Sequence, residues 1–559
     1  MKRSTCLLVG FLLTVHLSAQ DNIETTLDSI FSKHTLAGSP GCSVGIVKNG
    51  KLLHIYRRGL ANLSYDIAIR EGTVFRVASI AKQFTAACIG LLIVDKKLSL
   101  QDDVRKYIPE LPFYGNVITI QHLLNQTSGI RNYNVLQDIK GYNPELEGVS
   151  NKEVYELLFR QKGINHVPGE KMLYSNSNYV LLALVVERVS GNSLHEFAAE
   201  RIFHPMGMNN TFFKTSNREI IKNGAYNYYK DAKGYKQAMA LNIITGAGGL
   251  YSTVEDLAKW TTIFSSTDSL SKTLASFLTT KDTLSDGSFS GYGRGVFVDA
   301  YKGYPTIHHS GMDLGLKAQM ISVPSENLSL IILSNLESIN AIDLSYQILD
   351  LLLKGVLSTQ TKGKIYIHKK TALQHFTGDY QEINSDLTIR ILVENDTLKA
   401  KNRLSRLAVP LVASGKNEFE RINNASVTHK FNTQEERKWD MAVDFAGATF
   451  YFEKVQLVEA ASVKANEYVG EYYSAEMGVT YSLSAQDNEL LVSFPYNPKI
   501  KLTAGQQDEF GSGNRTRYIF QRNKHGEVIS FTIASEGTVK DILFEKVSSI
   551  KRSVNKKIE

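Results

Sequence analysis

Apolar and polar positions along the first two thirds of the chain follow two periods in turn. From Gly41 to Val47 the residues are small and apolar, the run breaks at Asn49-Gly50, and it resumes from Leu52 to Tyr56. Asn-Gly between two apolar runs is a strong two-residue turn signal, so this stretch predicts a β-hairpin. The period then lengthens: Phe84, Ala87, Cys88, Leu91 and Leu92 fall at i, i+3, i+4, i+7 and i+8, the stripe of a helix. Ile80, Ile89 and Ile93 cover its other sides, so this helix is expected to be buried nearly all round. Ser252-Thr253-Val254-Glu255 reads as a capping box opening a helix through Trp260. A helix is also expected from near Asn178. Ala318 to Val323 and Leu328 to Leu333 read as buried strands, followed by a helix through Leu353. A hairpin, helices, then strands and a closing helix predict one α+β domain over residues 22–357.

Beyond Lys362 the texture changes to short strands separated by turn residues. Phe376-Thr377-Gly378-Asp379-Tyr380 matches Tyr468-Val469-Gly470-Glu471-Tyr472 at a shift of 92 residues. Asn395-Asp396-Thr397-Leu398 matches Asp487-Asn488-Glu489-Leu490, and Phe452-Glu453-Lys454-Val455 recurs as Phe544-Glu545-Lys546-Val547, both at the same shift. Three matches at one spacing predict a duplicated all-β module of sandwich or barrel type, with units over 363–460 and 461–550. The repeat's aromatics, Phe376, Tyr380, Tyr468, Tyr472 and Tyr473, are expected in its core.

Composition narrows the class. The chain has 559 residues, 43% hydrophobic and 21% charged, which excludes disordered, collagen-like and coiled-coil proteins. Three cysteines exclude a disulfide scaffold and a cysteine-built metal centre. The formal charge of +7 is a small excess of 63 basic over 56 acidic residues; it argues against nucleic acid or anionic lipid as the partner. At the N-terminus, Lys2-Arg3, an apolar run from Cys6 to Leu17 and Ser18-Ala19-Gln20 read as a secretory signal peptide over 1–19, cleaved near Ala19. Its apolar run is shorter than the ~18–20 residues of a membrane span. The expected mature protein is therefore periplasmic or secreted, without a membrane span. Cys42 and Cys88 would remain, as a pair or as small buried hydrophobes.

Several serines compete for chemistry. Gly41-Cys42-Ser43-Val44-Gly45 matches the nucleophile-elbow pattern literally, but its context is the hairpin rather than strand–turn–helix, so Ser43 is read as a strand residue. Ser-x-x-Lys occurs at Ser79, Ser269, Ser548 and Ser553. A spacing of three puts both side chains on one helical face, where a lysine of lowered pKa can take the hydroxyl proton. Only Ser79-Ile80-Ala81-Lys82 opens a buried helix. Tyr174-Ser175-Asn176 and His309-Ser310-Gly311 follow in order. Tyr114-Gly115-Asn116 repeats the tyrosine pattern in a proline-containing loop, His195-Glu196 lacks the second ligand of a zinc helix, and Gly246 to Gly249 lacks the third glycine of a dinucleotide loop.

Ser-x-x-Lys, Tyr-x-Asn and His-x-Gly in this order resemble the serine β-lactamase and penicillin-binding protein family. The nearest branch holds class C β-lactamases, D-alanyl-D-alanine carboxypeptidases, D-aminopeptidases and related esterases. Residues 122–129, 202–208 and 248–257 resemble the same branch. The resemblance implies an antiparallel sheet flanked by helices plus a helical subdomain. It also implies an acyl-enzyme on Ser79, activated by Lys82, with Tyr174 as proton shuttle and Asn176, His309, Ser310 and Gly311 facing substrate. Backbone N–H groups of Ser79 and Met312 would form the oxyanion hole. Lys82 and Tyr174 both stay open as the acylation base. Histidine at 309 stands where class C β-lactamases have lysine, which points toward a D-amino-acid-specific peptidase or amidase acting on a small-molecule or peptide substrate. A promiscuous esterase, a true β-lactamase and a β-lactam sensor without turnover are the alternatives. No cofactor and no metal are expected. The C-terminal repeats resemble the lipocalin-like β-domains attached to some family members.

Overall fold

The computed structural model describes residues 23–353 and 366–547, apart from 240, 367, 369, 384, 403–406, 423, 435–438, 446–447, 460–461 and 514. The signal-peptide reading, Cys6, Ser548 and Ser553 lie outside the described residues. The hairpin forms as expected: β1 (Cys42–Lys48) pairs antiparallel with β2 (Lys51–Arg58). Four later strands complete a six-stranded antiparallel sheet: β3 (Phe297–Tyr301), β4 (Tyr304–Asp313), β5 (Leu316–Val323) and β6 (Leu328–Ser334), in the order β3-β4-β5-β6-β1-β2.

Helices cover both faces of this sheet. That is why β6 reads as a continuous apolar run rather than an alternating one. Leu330 and Ile332 pack on one side with Leu27, Phe31, Leu344 and Ile348, whereas Ile331 and Leu333 join the core on the other. On that second side lie α1 (Ala81–Val94), α2 (Tyr133–Lys140), α3 (Asn176–Ser190) and α4 (Val254–Thr261); α5 (Ala341–Leu352) closes the first. Every residue of α1 from Ala81 to Leu92 is buried.

Two local expectations shift, and one open alternative closes. Helix α4 is capped by Thr253, whose side chain accepts from Asp256 N–H, one residue later than the Ser252 box, because Ser252 ends a strand. Helix α3 starts at Asn176 rather than near Asn178. Cys42 and Cys88 are free and buried, one in each core; burial pushes the Cys42 thiol up to about 12.

Each copy of the C-terminal repeat closes as an eight-stranded barrel, barrel one over Gly378–Val455 and barrel two over Gly470–Lys546. The repeated motifs have physical reasons. Asn395-Asp396 and Asp487-Asn488 all take φ between 49° and 61°, the left-handed pair that a tight hairpin turn requires. The Tyr380 hydroxyl donates to the Phe376 carbonyl (2.9 Å), as the Tyr472 hydroxyl does to Tyr468 (2.8 Å). Phe376, Tyr380, Tyr468 and Tyr472 are buried; Tyr473, next to inward-facing Tyr472, points outward and is 44% exposed, because strand neighbours alternate faces.

Barrel two shares a continuous apolar core with the helices of the first domain. At their seam, Arg131 and Glu476, 3% and 4% exposed, form an ion pair at 3.2 Å. The Tyr481 hydroxyl donates to the Ile139 carbonyl (2.6 Å), and Thr538 O accepts from Asn132 N–H (3.2 Å) and Asn165 Nδ2 (2.7 Å). Barrel one meets barrel two through Arg517 Nη1 to Ile383 O (3.2 Å) and Gly513 N–H to Asp386 Oδ2 (2.8 Å). No helix among the described residues is long and apolar enough to cross a membrane.

Candidate active site

Ser79 sits in a single 3₁₀ turn, Ala78–Ile80, that leads into α1. The preceding Ala78 takes a left-handed φ of 47°, a strained conformation for a residue with a Cβ. Close packing against β4 accompanies it. A Cβ added at Gly311 would lie 2.2 Å from the Val77 carbonyl oxygen, so only glycine lets the strand approach the turn this closely.

One turn into the helix, Lys82 is fully buried. Its Nζ lies 2.9 Å from Ser79 Oγ, 2.7 Å from Asn176 Oδ1 and 2.8 Å from Ala247 O. Among the described residues no carboxylate pairs with it, and burial lowers its pKa well below the usual lysine value. Asn176 is held in orientation by donating Nδ2 to Asn134 Oδ1 (2.7 Å), while its backbone N–H donates to Asn132 Oδ1 (3.2 Å). The Tyr174 ring lies 4.9 Å from Lys82 Nζ. Burial raises the Tyr174 pKa, and its phenol is near enough to Ser79 for the serine to oppose that shift, so the phenol is neutral near pH 7.

His309 carries no charge where class C β-lactamases have a cationic lysine. It is 2% exposed, packed beside Tyr174, Tyr292 and Phe297. Burial, then the charge on Lys82, lower its pKa to about 3. Nδ1 faces the Ser310 carbonyl at 2.6 Å and must therefore be the donor, leaving Nε2 to accept from the Tyr292 hydroxyl at 3.3 Å. His309 is thus a neutral, oriented imidazole that offers substrate no cation. Ser310, Gly311 and Met312 continue along β4. The ladder to β3 stops at His308, so the strand edge from His309 to Asp313 is left unpaired on that side, with Met312 68% exposed.

The cleft brings together Ser79, Asn176 and Met312 with residues that no motif marked: Arg76, Tyr133, Asn134, Asn242 and Asp313. Arg76 and Asp313 form an ion pair at 2.6 Å, the arginine 9% exposed. These residues come from four separate segments and follow no local pattern. Arg76 and Asp313 lie near motifs, three residues before Ser79 and two after Gly311. The competing motifs lie elsewhere: Ser43 pairs within β1 opposite Leu333 and Arg57, and Ser269 opens an exposed helix.

Comparison with known proteins agrees with this geometry. The family described as Beta-lactamase matches residues 27–352. Penicillin-binding protein 4* of Bacillus subtilis (strain 168) is 28% identical over 56% of this chain and 72% of its own length. A D-aminopeptidase of Brucella anthropi is 30% identical over 58% of this chain, a match spanning 61% of that enzyme. In structure, the octameric penicillin-binding protein homologue from Pyrococcus abyssi superposes over 85% of this chain and 98% of its own, with a TM-score of 0.54 at 21% identity; this likeness concerns the fold. With the family match covering more than half of its residues, the chain belongs to the beta-lactamase family of serine hydrolases.

Proposed function

We propose that the protein is a D-amino-acid-specific peptidase, of the D,D-carboxypeptidase or D-aminopeptidase type, or a related amidase, working through an acyl-enzyme on Ser79. The observation that carries the acyl-enzyme is the set of three contacts to Lys82 Nζ. Two are carbonyl oxygens, which can only accept. The third is a hydroxyl, which can also donate. A neutral amine has two N–H groups for the carbonyls and one lone pair for the Ser79 proton. Burial, with no carboxylate partner among the described residues, keeps that neutral form accessible.

In this mechanism Lys82 takes the Ser79 proton as Oγ attacks the substrate carbonyl. The N–H groups of Ser79 and Met312 stabilise the resulting oxyanion, at about 3–4 kcal/mol per donor in comparable hydrolases. Tyr174, a neutral donor beside Ser79, passes a proton to the leaving amine, and Asn176 hydrogen-bonds the substrate amide. Water then attacks the ester carbonyl, and the proton transfers reverse to free Ser79. Neutral His309 supplies no cation where class C β-lactamases have lysine, and that departure argues against a dedicated β-lactamase. The named activity of the Brucella relative supports the same choice. We place the reaction outside the cytoplasm, on the strength of Lys2-Arg3 and the apolar run that follows.

A panel of D-Ala-D-Ala peptides, D-amino-acid amides, their L-counterparts, simple esters and a chromogenic cephalosporin tests the reading. The expected result is highest kcat/KM on a D-peptide or D-amide, with the L-form at least about tenfold poorer. Faster turnover of esters or the cephalosporin would overturn it, as would a β-lactam label that never leaves.

A further inference from the structure

The catalytic cleft is small, about 90 Å³, below the roughly 300–1,000 Å³ usual for small-molecule sites. A second groove of about 400 Å³ lies beside it, lined by Tyr142, Glu145, Tyr229, Leu314, Glu337 and Tyr496. The two are joined by neighbours: Leu314 follows Asp313 of the cleft, and the Tyr142 hydroxyl bonds Asn242 of the cleft. The groove is built rather than incidental. Tyr229, Leu314 and Glu337 are brought together where Tyr228 bonds the carbonyls of Gly315 and Asn335 and accepts from Glu337 N–H. Leu146 and Glu147 N–H both donate to the Asn143 carbonyl, closing the loop that carries Glu145.

Barrel two supplies the remaining wall. Its turn at Pro495-Tyr496-Asn497 reaches the first domain so closely that a Cβ on Gly141 would lie 2.4 Å from the Pro495 carbonyl. Tyr496 takes a left-handed φ of 56° at the tip and is 57% exposed. Three tyrosine rings and two carboxylates therefore line a groove with no lysine or arginine among its lining residues. Aromatic faces and carboxylates together suit an ammonium group.

Resting on the peptidase reading above, we propose that this groove is a distal subsite for peptides bearing a free amine, with Tyr496 of barrel two as a specificity-determining residue. The second barrel would then select substrate while the first domain performs the chemistry. Cation–π and exposed ion-pair contributions together correspond to a preference of about tenfold.

The test uses the whole protein and N-acetylated peptides ending in D-Ala-D-Ala, with a lysine placed two, three or four residues before the scissile bond. Each is made with its ε-amine free or acetylated. The expected result is a kcat/KM ratio of about ten in favour of the free amine at one of these placements, falling toward one in Tyr496→Ala and in Glu145→Gln/Glu337→Gln. Equal kcat/KM for both forms at every placement, or a ratio unchanged in both variants, overturns the subsite. Calorimetric binding of the same peptides to Ser79→Ala separates the two readings. A free-amine preference that depends on Tyr496, without turnover by the wild type, keeps the subsite and overturns the peptidase reading. Binding without preference overturns the subsite.

Discussion

Replacing Glu476 by alanine removes one half of the buried pair that joins barrel two to the first domain. Glu476 Oε2 accepts from Arg131 Nη1 (3.2 Å) and from Lys162 N–H (2.8 Å). After the change Arg131 keeps only neutral acceptors, Gln161 Oε1 at 3.1 Å and Asp541 O at 3.3 Å, and its charge stays buried. Losing one partner of such a pair costs about 3–5 kcal/mol. At about 2–4 °C per kcal/mol for domains of 150–250 residues, the first thermal transition should fall by roughly 10 °C. The Arg131→Met/Glu476→Met double variant should recover much of the loss, because apolar replacements of a buried pair leave no stranded charge. Catalysis should suffer as well. Asn132 N–H is held by Thr538 of barrel two, while Asn132 Oδ1 accepts from Asn176 N–H, so the seam reaches the Lys82 contact through one residue. Differential scanning calorimetry and kcat/KM on the same preparations read both effects. Glu489→Ala, breaking an exposed pair with Lys501, is the control and should move the transition by no more than a degree or two. A Glu476→Ala transition within that margin of the wild type would refute the reasoning.

Other expected outcomes follow from the same geometry. Lys82→Arg places a permanently protonated group beside Ser79 and should lower the acylation rate by about 10²–10⁴-fold in single-turnover assays. In the wild type, kcat/KM should rise with pH through the lowered Lys82 pKa, since the neutral amine is the active form. Gly311→Ala brings a methyl to 2.2 Å from Val77 O; the displaced strand edge should cost about 100-fold or more in kcat/KM. His309 has a folded pKa of about 3 against 6.5 when free. The unfolded chain therefore binds a proton that the folded one refuses, so its stabilising effect is whole above pH 6.5 and declines as pH falls toward 3, by up to about 1.4 kcal/mol per pH unit. Urea unfolding of His309→Gln should show a shallower acid loss than the wild type.

The parts of this site that were legible in the sequence are those that chemistry ties together locally. Ser79 and Lys82 are one helical turn apart, and Tyr174 and Asn176 flank the start of one helix. The Arg76–Asp313 pair could not be read, because its members lie in distant segments that only the folded sheet brings together. The Arg131–Glu476 seam is separated by 345 residues and carries no motif in either half. The charge state of His309 depends on burial among Tyr174, Tyr292 and Phe297, which no spacing encodes. In the barrels the repeat was visible because turn residues with φ above zero and inward aromatics recur in register. Tyr473 was misplaced because its neighbour already fills the inward position. The cap of α4 moved one residue because a strand claimed Ser252.

The central claim is that Ser79 is the acylated nucleophile. Incubating the protein with a penicillin, quenching, and mapping the adduct by peptide mass spectrometry tests it directly. The account predicts a single penicilloyl adduct on the peptide that contains Ser79, absent from Ser79→Ala. An adduct that persists in Ser79→Ala, or that maps to another residue such as Ser43, would contradict it.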